Sequence, residues 1–433
     1  MVLSGWFVLL LAAGAVPLVL SGEPLVLAAW VLLLLAATGV DLALAASPRS
    51  VRVLRDGAAR TRLGEAVEHE LTLVNEGGRT LRAIVRDGWQ PTVRATPSRQ
   101  RVVVPAGERR RIRERLRPIR RGVRRSEHVT VRSIGPLRLA ARQATIGAEG
   151  SITVLPPFHS QRHLPSRLAR LRELEGRTSV MVRGQGTEFD SLREYVRGDD
   201  VRSIDWRATA RTAAPDDLMV RTWRPERDRR VVVVVDTGRN AAARIGDETR
   251  LDTAFEASLL LAALADRAGD RFDLLLFDRR MRGRVHGVTG AELLPRLVGT
   301  MADVEPELLE TDWSSVPALV RAASTQRSLV VLLTTAESVA GARGLLAVLP
   351  QLCAKHLVVV ATVRDPEVDR MRRERDDRSS VYRAAAAERA LLEQDRFADA
   401  IGRLGGTLLT AAPQELPPAL ADHYLALKAA GRL

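Results

Sequence analysis

The stretch RRVVVVVDTGRNAAAR, residues 229–244, places five consecutive valines directly before Asp236. A short run of β-branched apolar residues predicts a strand that is buried on both faces of a sheet. A small, glycine-containing turn follows, so we expect Asp236 at the end of the strand, where the ligands of α/β sheets bind. Three chemistries place an aspartate there: half of an aspartic protease dyad, a phosphoryl-accepting nucleophile and a metal ligand.

Downstream of this strand, short apolar runs alternate with helical patterns. The runs RFDLLLFD, SLVVLLTT, HLVVVATV and GGTLLTAA are separated by segments such as DTAFEASLLLAALADRAG, whose apolar residues recur at helical spacing. Buried strands that alternate with helices are typical of an α/β fold with a doubly wound parallel sheet. We therefore predict such a domain over residues 230–433, with its binding site at the carboxyl ends of the strands.

Two of the three chemistries for Asp236 lack a partner residue. The tripeptide Asp236-Thr237-Gly238 resembles the aspartic protease signature, but it occurs once in the chain, and a helical pattern follows it. That chemistry needs two carboxylates that share a proton. A phosphoryl-accepting aspartate of the haloacid dehalogenase type needs a second acid two residues later, where Gly238 lies. Metal binding is the hypothesis that remains, beside a purely structural role in which Asp236 caps the following turn or helix.

The metal hypothesis rests on a resemblance to von Willebrand factor A domains. These domains carry an Asp-x-Ser-x-Ser loop after the first strand, a threonine from a later loop and an aspartate after the fourth strand. The resemblance implies metal ligation by Asp236, Asn240 and Thr311, while Gly238 and Asn240 replace the two serines and Thr335 replaces the second aspartate. One carboxylate among neutral oxygens makes a degenerate metal-ion-dependent adhesion site, whose affinity for Mg²⁺ is weak or depends on a partner's carboxylate.

A second resemblance lies just upstream, in RGQGTEFDSLREYVRGDDVRSIDWRATAR, residues 183–211. This segment resembles the signature of domain-of-unknown-function family 58, which precedes a von Willebrand A-like domain. Proteins of this family are similar to partners of MoxR-type AAA+ ATPases that assist the assembly or maturation of other proteins. The positions that match the signature are Gly186, Glu188, Phe189, Arg193, Tyr195, Gly198, Asp199, Arg202, Asp205, Trp206, Ala210 and Arg211.

Charged residues of both signs alternate along this signature segment. Either their ion pairs clamp the α/β domain to its neighbour around an aromatic core that includes Tyr195 and Trp206, or the segment is a docking face with arginine and tryptophan hot spots. Both alternatives use the same side chains. The predicted interaction residues are Glu188, Arg193, Tyr195, Asp199, Arg202, Asp205, Trp206 and Arg211.

The N-terminus is apolar enough to enter a membrane. Residues 2–20 carry no charge, and a second apolar run covers residues 25–46, so each is about long enough to cross a hydrocarbon core of roughly 30 Å. We predict a two-helix transmembrane hairpin over residues 1–46. Arginines that include Arg49 and Arg52 follow the second run, whereas the turn carries only Glu23, which predicts a cytoplasmic body in the cell membrane. Asp41 is expected to reach the membrane interface or a partner helix without a functional role.

Residues 47–155 have the pattern of a small antiparallel β-sandwich. EHELTLVNEGG and RVVVPAGERRRIRERLRP alternate apolar and polar residues, and the turn signals NEGG, PAGE and SIGP recur between them. Residues 156–229 then form a linker and the signature segment. His159 and His163 have the spacing of a helical metal pair, but they follow two prolines in a predicted loop, which argues against a metal site.

The charge of the chain is concentrated in this sandwich. Residues 47–150 contain 24 arginines and 10 acidic residues, an excess of 14 positive charges that equals the formal charge of the whole chain. Two explanations remain open: attraction to anionic headgroups or an acidic partner, and an arginine bias on a solvated surface. We expect no nucleic-acid partner, because aromatic residues make up 4% of the chain and no reader motif is present.

No motif in the sequence indicates catalysis. A phosphate-binding loop that ends in Lys-Ser/Thr is absent, and the only lysines are Lys355 and Lys428. The single cysteine, Cys353, excludes an internal disulfide and fits a reducing compartment. We therefore expect a membrane-anchored adaptor that is not an enzyme, with a MoxR-type AAA+ ATPase as the partner that the resemblance implies. The alternatives are a metal-dependent hydrolase of the α/β domain and a lipid-binding structural envelope protein.

Overall fold

The computed structural model describes residues 1–181, 188–196, 199, 201–211, 218–224, 229–246, 248–335 and 338–433. The chain divides into two compact units, Met1–Leu155 and Pro156–Leu433. The predicted segments 1–46 and 47–155 lie in the first unit, and the segments 156–229 and 230–433 lie in the second. The architecture is mixed α/β, with several separate sheets and a cluster of apolar N-terminal helices.

The first unit begins with helices and continues as two β-sheets. One sheet has the strand order β1-β9-β8-β5-β6, with β3 beside β9, and the other has the order β2-β4-β7. The elements of the first unit are β1 Val2–Leu3, α1 Gly5–Ala13, α2 Ala15–Ser21, α3 Pro24–Leu44, β2 Val51–Gly57, β3 Arg60–Arg62, β4 Val67–Asn75, β5 Leu81–Asp87, β6 Gln100–Val104, β7 Arg109–Leu116, β8 Gly122–Ile134 and β9 Ala140–Leu155.

Alternating side chains hold the two sheets of the first unit together. Leu71 and Leu73 of β4 are buried with Leu81 and Val85 of β5 in one apolar cluster, so the inner faces of the two sheets pack on each other. The intervening residues of β4 and β5 lie nearer the solvent. This is the period-two pattern that predicted a sandwich, because successive side chains of a strand point to opposite faces.

The apolar N-terminus forms three helices. The segment that contains α3 has a mean hydropathy of 2.3, and α3 is long and apolar enough to cross a membrane. The first apolar run divides into α1 and α2 at Gly14. A Cβ at Gly14 would collide with the indole of Trp30, whose Nε1 donates a hydrogen bond of 2.9 Å to the carbonyl oxygen of Leu10. The sequence predicted an unbroken first span. Trp30 packs at the break, and Pro17 has no amide hydrogen to bond to the carbonyl of Ala13, which favours a break there.

Asp41 fixes α3 to the β-sheet that contains β8 and β9. Its carboxylate is fully buried and accepts hydrogen bonds from the amides of Leu137, Leu139 and Ala140, at 2.6, 2.8 and 3.0 Å. These amides belong to the turn between β8 and β9 and to the first residue of β9. The sequence predicted an Asp41 that reaches the membrane interface or another helix. The structure instead gives it a structural role, because a buried carboxylate is stable only with several donors.

A buried ion pair lies between the two sheets of the sandwich. The guanidinium of Arg55 binds both carboxylate oxygens of Asp87 at 2.6 Å, and it also donates to Ser126 Oγ at 2.7 Å. Nearby, Glu114 is 3% exposed, and its Oε2 accepts no hydrogen bond within this fully described unit. Burial and the charge of Asp87 raise the pKa of Glu114 to about 7, although Arg55 acts in the opposite direction.

The second unit contains a six-stranded mixed sheet. Its strand order is β16-β15-β12-β17-β18-β19, and every neighbouring pair is parallel except β15 and β16. The elements of this unit are α4 Leu164–Met181, β10 Glu188–Glu194, α5 Trp206–Thr209, β11 Met219–Arg224, β12 Arg230–Asp236, β13 Arg244–Ile245, β14 Glu248–Thr249, α6 Arg250–Arg267, β15 Arg271–Phe277, β16 Met281–Val285, α7 Leu293–Ala302, α8 Val316–Ala323, β17 Leu329–Leu333, α9 Arg343–Cys353, β18 Leu357–Val363, α10 Pro366–Arg373, α11 Arg378–Arg403, β19 Thr407–Ala411 and α12 Leu416–Ala429.

The five valines of β12 are the centre of this unit. All five are at most 1% exposed, and burying each side chain stabilises the fold by about 1.5–3 kcal/mol. Val232 and Val234 belong to an apolar cluster with residues of α8, α9 and α11. Helix α6 packs on β12 and β15, and each of its residues from Leu251 to Ala265 is buried. The position of β12 between two parallel neighbours confirms that the valine run is an interior strand.

Replacing Asp41 tests its structural role. Asp41→Asn keeps the shape of the side chain but turns one acceptor into a donor that faces backbone amides. We expect the free energy of unfolding to fall by about 1–3 kcal/mol, the range for hydrogen bonds to a charged group. Hydrogen exchange at residues 137–140 should accelerate in detergent. Asp56→Asn, on the exposed side of β2, is the matched control. Equal exchange in both variants would contradict the role.

Glu114 predicts a pH dependence of stability. Because its pKa rises from 4.5 to about 7 on folding, the native state binds more protons than the unfolded state between these values, and the stability falls as pH increases through this window. Glu114→Gln removes that loss. Urea unfolding should find the variant and wild type similar near the lower end of this window, and the variant more stable above pH 7 by on the order of 1–2 kcal/mol. A constant difference across the window would contradict this.

Candidate functional site

Asp236 lies at the carboxyl end of β12, where three segments meet. It is 4% exposed, and its Oδ1 accepts hydrogen bonds from the amide of Gly238 at 2.8 Å and from the hydroxyl of Thr311. Its Oδ2 accepts a hydrogen bond of 2.6 Å from the hydroxyl of Thr334, directly after β17. The carboxylate therefore joins its own turn, the end of the neighbouring parallel strand and the loop before α8.

Gly238 is required by the close approach of this loop. A Cβ at position 238 would lie 2.6 Å from Thr311 Oγ1, 2.7 Å from Leu309 O and 3.0 Å from Asp236 Oδ1. The amide of Arg239 also donates to the carbonyl of Leu309 at 2.8 Å. A serine, which an Asp-x-Ser-x-Ser loop carries at position 238, does not fit here unless the loop moves.

Of the other two predicted ligands, Thr311 contacts the carboxylate of Asp236, whereas the side chain of Asn240 binds a backbone carbonyl. Asn240 follows in the same turn, and its Nδ2 donates a hydrogen bond of 3.0 Å to the backbone carbonyl of Thr335. After β17 it is the hydroxyl of Thr334 that contacts Asp236, whereas the resemblance places the next residue, Thr335, at the position of the second aspartate. Thr334 and Thr335 both follow β17. Which of the two side chains faces Asp236, at the end of the neighbouring strand β12, depends on the residue at which β17 ends.

A second buried acid, Asp278, lies at the end of the neighbouring strand β15. It is fully buried and accepts hydrogen bonds from Arg282 Nε at 2.5 Å, Arg280 N at 3.0 Å and Thr237 Oγ1 at 3.1 Å. Burial acts to raise the pKa of Asp278, but these bonds outweigh it and hold the pKa below its usual value. Sequence reasoning missed this residue, although LLLFDRR repeats the pattern of VVVVVD, an aspartate directly after an apolar strand.

The donor set around Asp236 fits a resident Mg²⁺ poorly. Mg²⁺ demands near-octahedral coordination and is usually held by one or two carboxylates. Here the single carboxylate of Asp236 already accepts three hydrogen bonds, and the charge of Asp278 is compensated by Arg282. The adjacent cavity, which Thr334 and Leu251 line, has a volume of about 10 Å³, room for about one water molecule. The observed contacts give Asp236 a structural role, because its carboxylate connects three segments by hydrogen bonds.

The signature segment folds into a short antiparallel pair, β10 and β11, with α5 between them. Arg193 binds both carboxylate oxygens of Asp199 at 2.6 and 2.7 Å, and this bond raises the pKa of Arg193. Asp205 caps α5 by accepting hydrogen bonds from two backbone amides. It also accepts a hydrogen bond of 2.7 Å from Arg221 Nε, and this bond lowers the pKa of Asp205. The first ion pair lies within the signature segment, and the second joins it to β11, so both fix the local geometry of the β10–β11 pair.

Apolar side chains of the same segment point outward. Trp206 is 65% exposed, Val196 is 62% exposed and Val201 is 61% exposed, whereas Ile204 is 9% exposed. The aromatic core expected from the sequence is therefore not formed by Trp206. Tyr195 is half-buried, and Arg202 and Arg211 are exposed. Gly186, Gly198 and the side chains of Glu188 and Phe189 lie outside the described residues.

A second group of potential ligands lies elsewhere in this unit. The ligand atoms of His159, Glu248 and Glu256 lie within 4.8 Å of one another. Glu256 is a buried residue of α6, and its Oε2 accepts a hydrogen bond of 3.0 Å from the amide of Ser160. Sequence reasoning considered His159 only with His163. Glu248 and Glu256 lie on the consecutive elements β14 and α6, but His159 is far from both in the sequence, so no spacing rule indicates the group.

Gly238→Ala tests the packing around Asp236. The added methyl group must displace Thr311 or Leu309, so we expect a loss of about 1–3 kcal/mol in the free energy of unfolding, the usual range for overpacking. The measurement is chemical denaturation monitored by tryptophan fluorescence. Gly299→Ala in α7 is the control, because its Cβ meets no atom within 4 Å and alanine favours a helix. Equal stability of the two variants would contradict the assigned contact.

The resemblance that the signature segment indicated is supported by comparison with known proteins. Residues 191–373 match the family described as "Protein of unknown function DUF58". Uncharacterized proteins from Mycobacterium tuberculosis and Mycobacterium bovis are 26% identical over 195 residues, which cover 45% of this chain and 60% of theirs. The match thus spans less than two thirds of the length of these relatives.

Two solved domains each match about a quarter of the chain. The CARDB domain of a Pyrococcus furiosus protein has a TM-score of 0.17 at 15% identity and covers 24% of this chain and 86% of its own. The cupredoxin domain of amoB from Nitrosocaldus yellowstonii has a TM-score of 0.18 at 14% identity, and the match covers 25% of this chain and 89% of that domain. Likeness at these TM-scores carries no argument. Through residues 191–373, the chain is similar to the family of proteins of unknown function DUF58.

Proposed function

We propose that this protein is a membrane-anchored adaptor whose second unit binds another protein. The observation that carries the proposal is the exposed apolar group Val196, Val201 and Trp206, which lies on a segment held rigid by its own ion pairs. Exposed tryptophan beside arginine is typical of interface hot spots. Because Arg193 and Asp205 are already paired with Asp199 and Arg221, a partner can cover the apolar group without leaving these charges buried and unpaired.

The partner that we propose is a MoxR-type AAA+ ATPase, which the family resemblance implies. In this proposal the mixed sheet is a doubly wound von Willebrand A-like domain, and its carboxyl edge faces the partner. Four parallel strand pairs and an aspartate at the end of β12 support it. The ATPase would supply nucleotide hydrolysis, and this chain would supply recognition and the position at the membrane. A partner's Asp or Glu is the route by which Mg²⁺ would gain a second charged ligand beside Asp236.

We further propose that α1 to α3 form a two-span membrane hairpin with the body in the cytoplasm. The amide of Ser4, which precedes α1, donates a hydrogen bond of 2.9 Å to the carbonyl of Leu139. Asp41, near the end of α3, accepts a hydrogen bond from the amide of Leu139. Both ends of the apolar segment are therefore held at one turn of the sheet. Residues 5–21 would extend about 25 Å as a continuous helix, close to the thickness of a hydrocarbon core. The arginines after α3 favour the cytoplasmic side.

The competing hydrolase hypothesis has less support. A hydrolase of the α/β domain needs a substrate cavity beside Asp236, and the cavity that the described residues form there has a volume of about 10 Å³, far below that of small-molecule sites. Its distinguishing measurement is hydrolytic activity that Asp236→Ala abolishes while partner binding persists.

Trp206→Ala tests the adaptor proposal. The full-length protein is purified from its native membrane in mild detergent, in Mg²⁺ and in chelator, and the proteins that co-purify are identified by mass spectrometry. We expect an AAA+ ATPase with the wild type and a loss of about tenfold or more with Trp206→Ala, the effect of removing a hot-spot residue. The control is Tyr382→Ala in α11, another aromatic residue that is 66% exposed.

Each outcome of this experiment has a defined meaning. Equal recovery with both variants would place the docking face elsewhere, and recovery of no ATPase with the wild type would contradict the adaptor proposal. If chelator removes the ATPase, the complex depends on a divalent cation, and the same loss with Asp236→Ala in Mg²⁺ would assign that dependence to Asp236. If chelator has no effect, Asp236 acts only through its hydrogen bonds.

A further inference from the structure

The first unit contains a cavity beside the base of the N-terminal helices. Its volume is about 420 Å³, within the range of small-molecule sites. Val2, Leu3 and Trp6 line one side, and the outer face of the sheet that contains β5, β6 and β8 lines the other. Leu3 is 47% exposed and Trp6 is 58% exposed, so this wall presents apolar surface to whatever enters.

The strand register explains the mixed character of the sheet wall. Ile84 of β5 lies opposite Arg101 of β6 and Arg132 of β8, and residues directly opposite each other on antiparallel strands share a face. Arg82 likewise lies opposite Val103, which is 55% exposed. Arginines and aliphatic side chains therefore alternate along the same outer face.

Four arginines line the cavity, and no acidic residue does. Arg82, Arg101 and Arg138 form no ion pair in the first unit, which is described throughout, and Arg132 donates only to the neutral amide oxygen of Gln143, at 2.9 and 3.1 Å. Such guanidinium groups have donors free for an anion. Arginine is the side chain that binds phosphate oxygens in a bidentate manner.

The backbone of Arg138 adds an independent observation. Its φ is +59°, a conformation that a non-glycine residue rarely adopts, in the turn that the Asp41 carboxylate holds. Glycine would be favoured at this position if only the turn mattered. Arg138 nevertheless occupies this position, and it lines the cavity together with Trp6 of α1.

We propose that this cavity binds the headgroup of an anionic phospholipid, with the arginines on the phosphate and with Trp6, Leu3 and Val103 against the first acyl carbons. The proposal rests on the membrane anchoring proposed above, since α3 must bring the cavity to the headgroup layer. A phosphate attached to acyl chains matches both walls, whereas a free phosphate matches only the arginines. Tryptophan is also enriched at membrane interfaces.

The test uses the full-length protein purified in a neutral maltoside detergent. Dioctanoyl-phosphatidylglycerol, dioctanoyl-phosphatidylcholine and inorganic phosphate are titrated separately, and binding is followed by microscale thermophoresis. We expect phosphatidylglycerol to bind more tightly than the other two. The double variant Arg82→Gln/Arg101→Gln should weaken phosphatidylglycerol binding about tenfold or more, in line with the effect of two arginines at an anionic surface.

The matched control is Arg109→Gln/Arg110→Gln on β7, which removes the same charge from two exposed residues of the other sheet. A comparable loss in this control would replace the cavity by diffuse charge attraction, and equal binding of phosphatidylcholine or of inorganic phosphate would overturn the headgroup assignment. Membrane anchoring is tested separately, by extraction of native membranes with alkaline carbonate. Loss of lipid selectivity with retained anchoring therefore refutes the cavity alone.

Discussion

The hydrogen bonds of the Asp236 carboxylate organise the carboxyl edge of the large sheet. An aspartate at the end of a strand buried on both faces must find donors nearby, because an unpaired buried carboxylate is strongly unfavourable. Gly238, Thr311 and Thr334 supply them. The loop before α8 is thereby held against the turn after β12, so close that position 238 has no room for a side chain. A surface built at this edge is consequently preorganised.

The same device recurs at the base of the N-terminal helices. Asp41 is buried as deeply and binds three backbone amides of one turn. In both places a buried carboxylate needs hydrogen-bond donors, and segments that are distant in the sequence supply them. The hydrogen bonds therefore connect these segments. The energetic consequence is similar, since removing one partner leaves the others desolvated without a bond. Both aspartates fix the relative position of the segments that they join.

Charge is used differently in the two units. In the signature segment Arg193 and Arg221 are neutralised by neighbouring aspartates, which leaves Trp206 and the valines as the surface offered to a partner. In the sandwich, Arg55 is neutralised deep between the sheets, but Arg82 and Arg101 on the outer face carry unpaired charge. Paired arginines fix geometry, and unpaired ones attract anions. This division is consistent with a protein-binding second unit and a lipid-facing first unit.

The sequence by itself determined the alternation of β4 and β5, the interior position of the five valines, the length and hydropathy of α3 and the family signature. Each of these depends on local composition or on a fixed period, which are properties of neighbouring residues. It also placed Asp236 and Thr311 at one site, because a resemblance supplied their pairing. Only the tertiary structure decided that Thr334 rather than Thr335 reaches Asp236, that Asp278 is a second buried acid, that Asp41 binds a turn and that Trp206 faces outward. These outcomes depend on which distant segments come within hydrogen-bonding distance, and no local pattern encodes that distance.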